Sequence, residues 1–159
     1  MRSEGKAEMT DPDDIACWQR IDAKLTTSGR LDRKDAARLA DLGVKHVINL
    51  ALADSPGSLP EEAEVMAAAK LHYAHIPVPF DTPGETHFDA FAEAMAKADG
   101  APVHVHCIMN WRVSAFVYRW NRLRGMDAEK ARALMQVQWD PASSGHKDAA
   151  AWAAFVNRA

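Results

Sequence analysis

The stretch 103–114, VHVHCIMNWRVS, sets a cysteine and an arginine at the two ends of a short loop, with four residues between Cys107 and Arg112. An ionised thiol is a strong nucleophile, and a guanidinium offers a planar fork of donors that grips two oxygens of an oxyanion at once. The chemistry these two residues could do together is covalent attack at the centre of a phosphate-sized anion. Ser114, two residues beyond the arginine, carries a hydroxyl that could donate toward the sulfur and help the thiolate form and leave. Alone, Cys107 would read as an inert core residue, because cysteine is among the most buried residue types. The arginine and serine beside it reverse that reading.

These residues need a strand and a helix to position them. Val103, Val105 and Cys107 alternate with His104 and His106, as a β-strand requires. Val113, Phe116, Val117, Trp120 and Leu123 then recur at helical spacing and predict one buried helix face. Residues 108–112 are left as the turn. Such a turn leaves the first N–H groups of the helix unpaired, and the helix dipole favours an anion over them and the thiolate form of Cys107. Ile108, Met109, Asn110 and Trp111 are therefore predicted to surround the bound anion with their amides. No glycine is present in the turn, but asparagine is the side-chain-bearing residue that most readily adopts a left-handed backbone, so Asn110 can take that place. Trp111 has two open roles, stacking on an aryl group of the substrate or anchoring the loop to the body. His106 is expected to orient the loop by hydrogen bonding. His104 and His106 lie on the strand face opposite Cys107, so no metal site is expected here, and the residues call for no cofactor.

At His106, Cys107, Arg112 and Ser114 the chain resembles the cysteine-based phosphatases of the protein-tyrosine and dual-specificity kind. Their signature is His-Cys, a short loop, then Arg followed closely by Ser or Thr. The usual loop has five residues and a glycine; this one has the Cys-x4-Arg spacing found among a bacterial branch similar to the phosphatase domain of beta-lactamase-hydrolase-like proteins. The resemblance covers residues 21–155. It includes Leu25-Thr26-Thr27-Ser28-Gly29, like the family's opening segment, and 75–81 (HIPVPFD), like the strand and loop that deliver a general acid. Gln138-Trp139-Asp140-Pro141 is a further landmark whose role the sequence does not disclose. The resemblance implies a phosphocysteine intermediate and a phosphotyrosine or mixed phosphoprotein substrate, with small phosphoesters also open.

When a thiolate displaces an alkoxide or phenolate from phosphorus, the leaving oxygen needs a proton, and a carboxylic acid on a neighbouring loop is the usual donor. Asp81 is preferred, since it follows the apolar run 76–80 and precedes the turn sequence Thr82-Pro83-Gly84. Glu85, Asp89 and Asp140 are the fallbacks. Two rival readings stand beside the phosphatase: a rhodanese-like sulfurtransferase, in which a four-residue gap is at home, and a phosphate-binding module with little catalysis.

The surrounding pattern alternates strands and helices: helix 32–42, strand 44–50, helix 59–70, strand 73–78, helix 86–98, strand 103–107, and helices 111–123 and 127–138. This order predicts an α/β fold, a mostly parallel central sheet flanked by helices, with ligands at the carboxyl ends of the strands. A short amphipathic helix over 14–21 is expected to pack Cys17 and Trp18. Arg119, Arg122 and Arg124 read as a solvated face and as partners for the helix C-terminus. At 159 residues with 48% hydrophobic content the chain has room for one substantial core, so residues 13–159 are read as a single domain and 1–12 as disordered. A net charge of −3 argues against nucleic-acid binding, and no run approaches the roughly 20 apolar residues of a membrane span. Two cysteines and a polar amino terminus point to the cytoplasm.

Overall fold

The sheet is organised around the strand that ends at Cys107. In the computed structural model, which describes residues 10–159, that strand is β5 (Val103–His106) and it occupies the middle of a five-stranded sheet. The others are β1 (Gln19–Asp22), β2 (Leu25–Ser28), β3 (His46–Asn49) and β4 (His72–His75), in the spatial order β1-β2-β5-β3-β4. β5 runs parallel to β2 and β3, β4 runs parallel to β3, and only β1 is antiparallel to its neighbour. The α/β sheet expected from the alternation is thus observed, with the antiparallel β1 at one edge.

Side-chain alternation divides the core into two layers, because successive residues of a strand face opposite sides of the sheet. Val47 joins Ile15, Leu39, Val65 and Met66 on the face covered by α1 (Asp35–Asp41) and α2 (Glu62–Ala68). Ile48, Leu25, Val103 and Val105 meet the other face, which is covered by α3 (Glu85–Ala98), α4 (Trp111–Leu123), α5 (Ala128–Gln136) and α6 (Ala149–Asn157). Phe91, Phe116, Trp152 and Phe155 are fully buried there. Truncating Phe116 to alanine would cost about 3–5 kcal/mol, the usual range for a large aromatic in a closed core. Asp127 starts α5 by accepting the Lys130 amide at 3.1 Å. No helix among the described residues is long and apolar enough to cross a membrane.

Several expectations need correction. Residues 14–21 do not form a helix: Cys17 has a left-handed backbone (φ 56°), and the chain turns there into β1. Cys17 is exposed, not packed. β1, β2 and α6 were not anticipated as elements; β1 and β2 are too short to declare a period, and the alanine-rich α6 shows little polar alternation. Leu123 ends α4 exposed at 65%, off the buried face it was assigned to. Arg119 is not solvated: it is 8% exposed, its guanidinium lies between the rings of Phe88 (4.3 Å) and Phe155 (4.6 Å), and it forks onto Glu85 at 2.8 and 2.9 Å. Arg122 donates to Met126 O at 2.8 Å, a carbonyl of the connection to α5 and not of the end of α4. Of the segment 1–12, residues 1–9 lie outside the described residues, while Asp11 pairs with Arg20 at 2.7 Å.

A histidine lies deep in the centre of the sheet among other buried polar residues. His104 is fully buried, stacked on Trp18 at 5.0 Å, with Nδ1 2.8 Å from Thr26 Oγ1 and Nε2 2.8 Å from Ser28 Oγ. Ser28 gives its one hydroxyl proton to Gly29 O, so it accepts from Nε2–H, and Nδ1 is left to accept from Thr26. The neutral ring is thereby satisfied at both nitrogens, and burial holds its pKa well below the ordinary histidine value. The unfolded chain takes up a proton as pH falls through about 6.5 while the folded one does not, so this contribution is full above that pH and is lost below it. His46, also depressed by burial and by His72, adds in the same sense. Urea denaturation should show stability falling from pH 7.5 to 5.5 by up to about 1.4 kcal/mol per pH unit for His104, and His104→Gln should flatten that slope.

Candidate active site

Cys107 emerges from β5 at the head of α4, where a cavity of about 390 Å³ opens. Its lining contains Cys107, Ile108, Met109, Trp111 and Arg112 from the loop and helix start, together with Phe80 and His146. The thiol and the guanidinium predicted to work together do share one space. Arg112 is 7% exposed; Nη1 donates to Val78 O at 3.1 Å, and its other N–H groups have no protein acceptor among the described residues.

Asn110 is the hinge of the loop. Its φ of 66° and ψ of 7° place it in the left-handed region as the residue that precedes α4, the conformation a loop glycine would otherwise supply. Its side chain does not face the cavity: it is fully buried, and Nδ2 donates to Cys17 O at 2.9 Å and Thr27 Oγ1 at 3.0 Å. The backbone N–H groups of residues 108–112 find no acceptor among the described residues, so they remain available to an anion.

Two other residues of this stretch, His106 and Ser114, do not line the cavity. His106 is 3% exposed; Nδ1 lies 3.2 Å from Cys107 O, which can only accept, and Nε2 lies 2.6 Å from Glu62 Oε2, so a single proton sits between the ring and the carboxylate. It contacts the loop's first carbonyl and does not line the cavity. Ser114 Oγ donates to Trp111 O at 2.8 Å, not to the sulfur, because the first turn of the helix brings that carbonyl over it.

Trp111 takes the anchoring role while still lining the cavity. It stacks on Trp139 with centroids 4.7 Å apart and planes 5° from parallel. This explains the landmark at 138–141: Trp139 is a platform for the loop. Phe80 joins the group, packing on Trp111, Trp139 and Trp152, and its carbonyl accepts from Trp152 Nε1 at 2.6 Å. The landmark at 25–29 also acquires a reason. A Cβ on Gly29 would collide with Ile108 O, and that close approach allows Arg30 N to donate to Ile108 O at 2.9 Å.

The carboxylates separate by environment. Glu85 is held to a pKa of about 2, first by its hydrogen bond to Arg119 and then by Arg158, so it carries no proton to give near neutral pH. Asp140 accepts from Gln136, Ala142 N and Ser143 and serves as a turn brace. Asp89 is exposed on α3. Asp81 is exposed just after Phe80, accepting from Thr82 Oγ1 at 3.2 Å, and it does not itself line the cavity. His146, Leu52, Ser55 and Pro56 do line it and carried no signal in the sequence, since each sits in a loop without a motif.

Comparison with solved structures places this architecture. A DUF442 protein of Shewanella putrefaciens CN-32 superposes with a TM-score of 0.79 at 27% identity, over 91% of each chain. TpbA of P. aeruginosa, solved as a cysteine-to-serine variant with phosphotyrosine, gives 0.66 at 19% identity, over 93% of each chain. The active form of Tk-PTP gives 0.70 at 15% identity, over 89% of this chain and 96% of its own. No curated protein matches the sequence. The family model described as DSP-PTPase phosphatase fused to NAD+ kinase matches residues 7–152. A thiol and an arginine in one cavity, on a fold shared with these phosphatases and under a family model that spans most of its length, mean that the chain belongs to this DSP-PTPase phosphatase family.

Proposed function

We propose that this chain hydrolyses phosphate monoesters in two steps, with the phosphoryl group passing through Cys107. The observation that carries the reading is the shared cavity of Cys107 and Arg112 at a loop whose N–H groups are unclaimed. The Cys107 thiolate attacks phosphorus, and the P–O bond to the leaving group breaks as the P–S bond forms. The Arg112 fork and the amides of 108–112 hold the equatorial oxygens, where charge is greatest. Asp81 gives its proton to the leaving oxygen. It is assigned this role because it adjoins Phe80 on the cavity wall, whereas Glu85 and Asp140 are engaged elsewhere. Ionised Asp81 then takes a proton from water as that water attacks phosphorus, and the thiolate departs.

The cavity wall supports an aryl phosphate as substrate. Phe80, Trp111 and His146 present aromatic surface, and Leu52, Pro56 and Met109 extend it with apolar groups. A phenyl ring fits such a lining better than a short hydroxyalkyl chain does. The similar fold of TpbA, solved with phosphotyrosine, agrees with a phosphotyrosine substrate here. The reading places the protein in the cytoplasm, where a free thiol stays reduced.

Hydrolysis of para-nitrophenyl phosphate, with orthovanadate as competitor, tests the mechanism: Cys107→Ser should abolish turnover while retaining phosphate binding. Binding without any turnover by the unaltered chain would instead favour a phosphate-binding module, and thiocyanate formation from thiosulfate and cyanide would favour the sulfurtransferase. Asp81→Asn should slow phenyl phosphate, with its poor leaving group, at least tenfold more than para-nitrophenyl phosphate; equal losses would remove Asp81 from the acid's role. Gly29→Ala should displace Ile108 and lower kcat/KM about a hundredfold with the far-ultraviolet circular dichroism unchanged, since a misplacement of about 1 Å is enough to do so.

A further inference from the structure

The phosphate loop of this chain has one residue fewer than the usual five, and hence one backbone N–H fewer between Cys107 and Arg112. The same cavity is lined by His146, which belongs to none of the loop, the arginine or the candidate acids. Its orientation is set locally. The Asp148 amide donates to Nδ1 at 3.0 Å, and the His146 amide in turn donates to Ser144 Oγ at 3.1 Å. The ring stands edge-on to Phe80 (4.9 Å, 71°) and to Trp111 (6.0 Å, 89°), so it is clamped on the aromatic side as well.

An imidazole whose Nδ1 accepts a hydrogen bond must, when neutral, carry its proton on Nε2. Nε2 makes no hydrogen bond among the described residues. The ring therefore presents a fixed N–H donor that needs no added charge to act. We propose that His146 Nε2–H is a further oxyanion donor, supplying from outside the loop a hydrogen bond to a phosphoryl oxygen that the shortened loop cannot provide. The inference rests on the phosphatase reading above and names an additional binding residue within it. The charged and titratable groups near this ring are Arg112 and Cys107, which line the same cavity, and Asp148, whose Oδ2 is 4.0 Å from Nδ1. Nε2 is the nitrogen left free by the Asp148 amide, so the donor is fixed by that bond and not by a charge on the ring.

Binding of inorganic phosphate to the Cys107→Ser protein, followed by calorimetry at pH 8, tests this without requiring turnover. Adding His146→Phe, which keeps an aromatic edge but no donor, should weaken binding about tenfold or more, the loss expected of one hydrogen bond to a charged group. Adding His146→Gln, which restores an N–H of similar reach, should recover most of it. Phosphate affinity unchanged by His146→Phe would overturn the proposal and reduce the ring to packing. Absence of turnover in the unaltered chain bears on Cys107 alone, because the phosphate affinities remain measurable; a chain that binds no phosphate overturns both.

Discussion

A loop that turns its N–H groups toward a bound anion must turn its carbonyls into the protein, where each buried acceptor has to be satisfied. That requirement explains most of what surrounds Cys107. Cys107 O faces His106 Nδ1, Ile108 O accepts from Arg30 N, Asn110 O accepts from Ser114 N, and Trp111 O accepts from Ser114 Oγ. Residues far apart in the chain are recruited for this purpose. The close approach at Gly29, the left-handed backbone at Asn110 and the buried Glu62 behind His106 all belong to the support of one cradle.

The second support is aromatic. Trp139 underlies Trp111, and Phe80 and Trp152 close the group, so the segment carrying Asp81 and the segment carrying the loop share one packed cluster. A loop with four residues between cysteine and arginine has little length in which to adjust, and stacking Trp111 on a neighbouring indole limits its movement further. Phe80 and Trp111 of this cluster also line the cavity, so the rigidity of the loop and the apolar surface of the cavity come from the same side chains. Near the far end of the helix, Arg119 ties α4 to α3 through Glu85 and lies between two phenylalanine rings, which fixes the position of the element whose first turn holds Arg112.

The sequence by itself determined the central unit, a strand leading to Cys107, a turn and a helix from Trp111 to Leu123, because periodicity and the Cys-to-Arg spacing are local properties of the chain; the expected turn at 108–112 is shorter, since Trp111 and Arg112 already belong to the helix. It also determined the α/β class, since alternating strands and helices leave few ways to build a sheet. The left-handed backbone of Asn110 was legible for the same reason, as a property of one residue type in one turn. Only the tertiary structure decided where side chains from other segments would fall. It turned His106 and Ser114 inward to serve the loop's carbonyls, tied the Asn110 side chain to Cys17 O and Thr27 Oγ1, and engaged Glu85 with Arg119. It also gave Trp139 its role as platform and brought His146 to the cavity. Those outcomes depend on contacts between residues distant in the chain, and no spacing in the sequence encodes them.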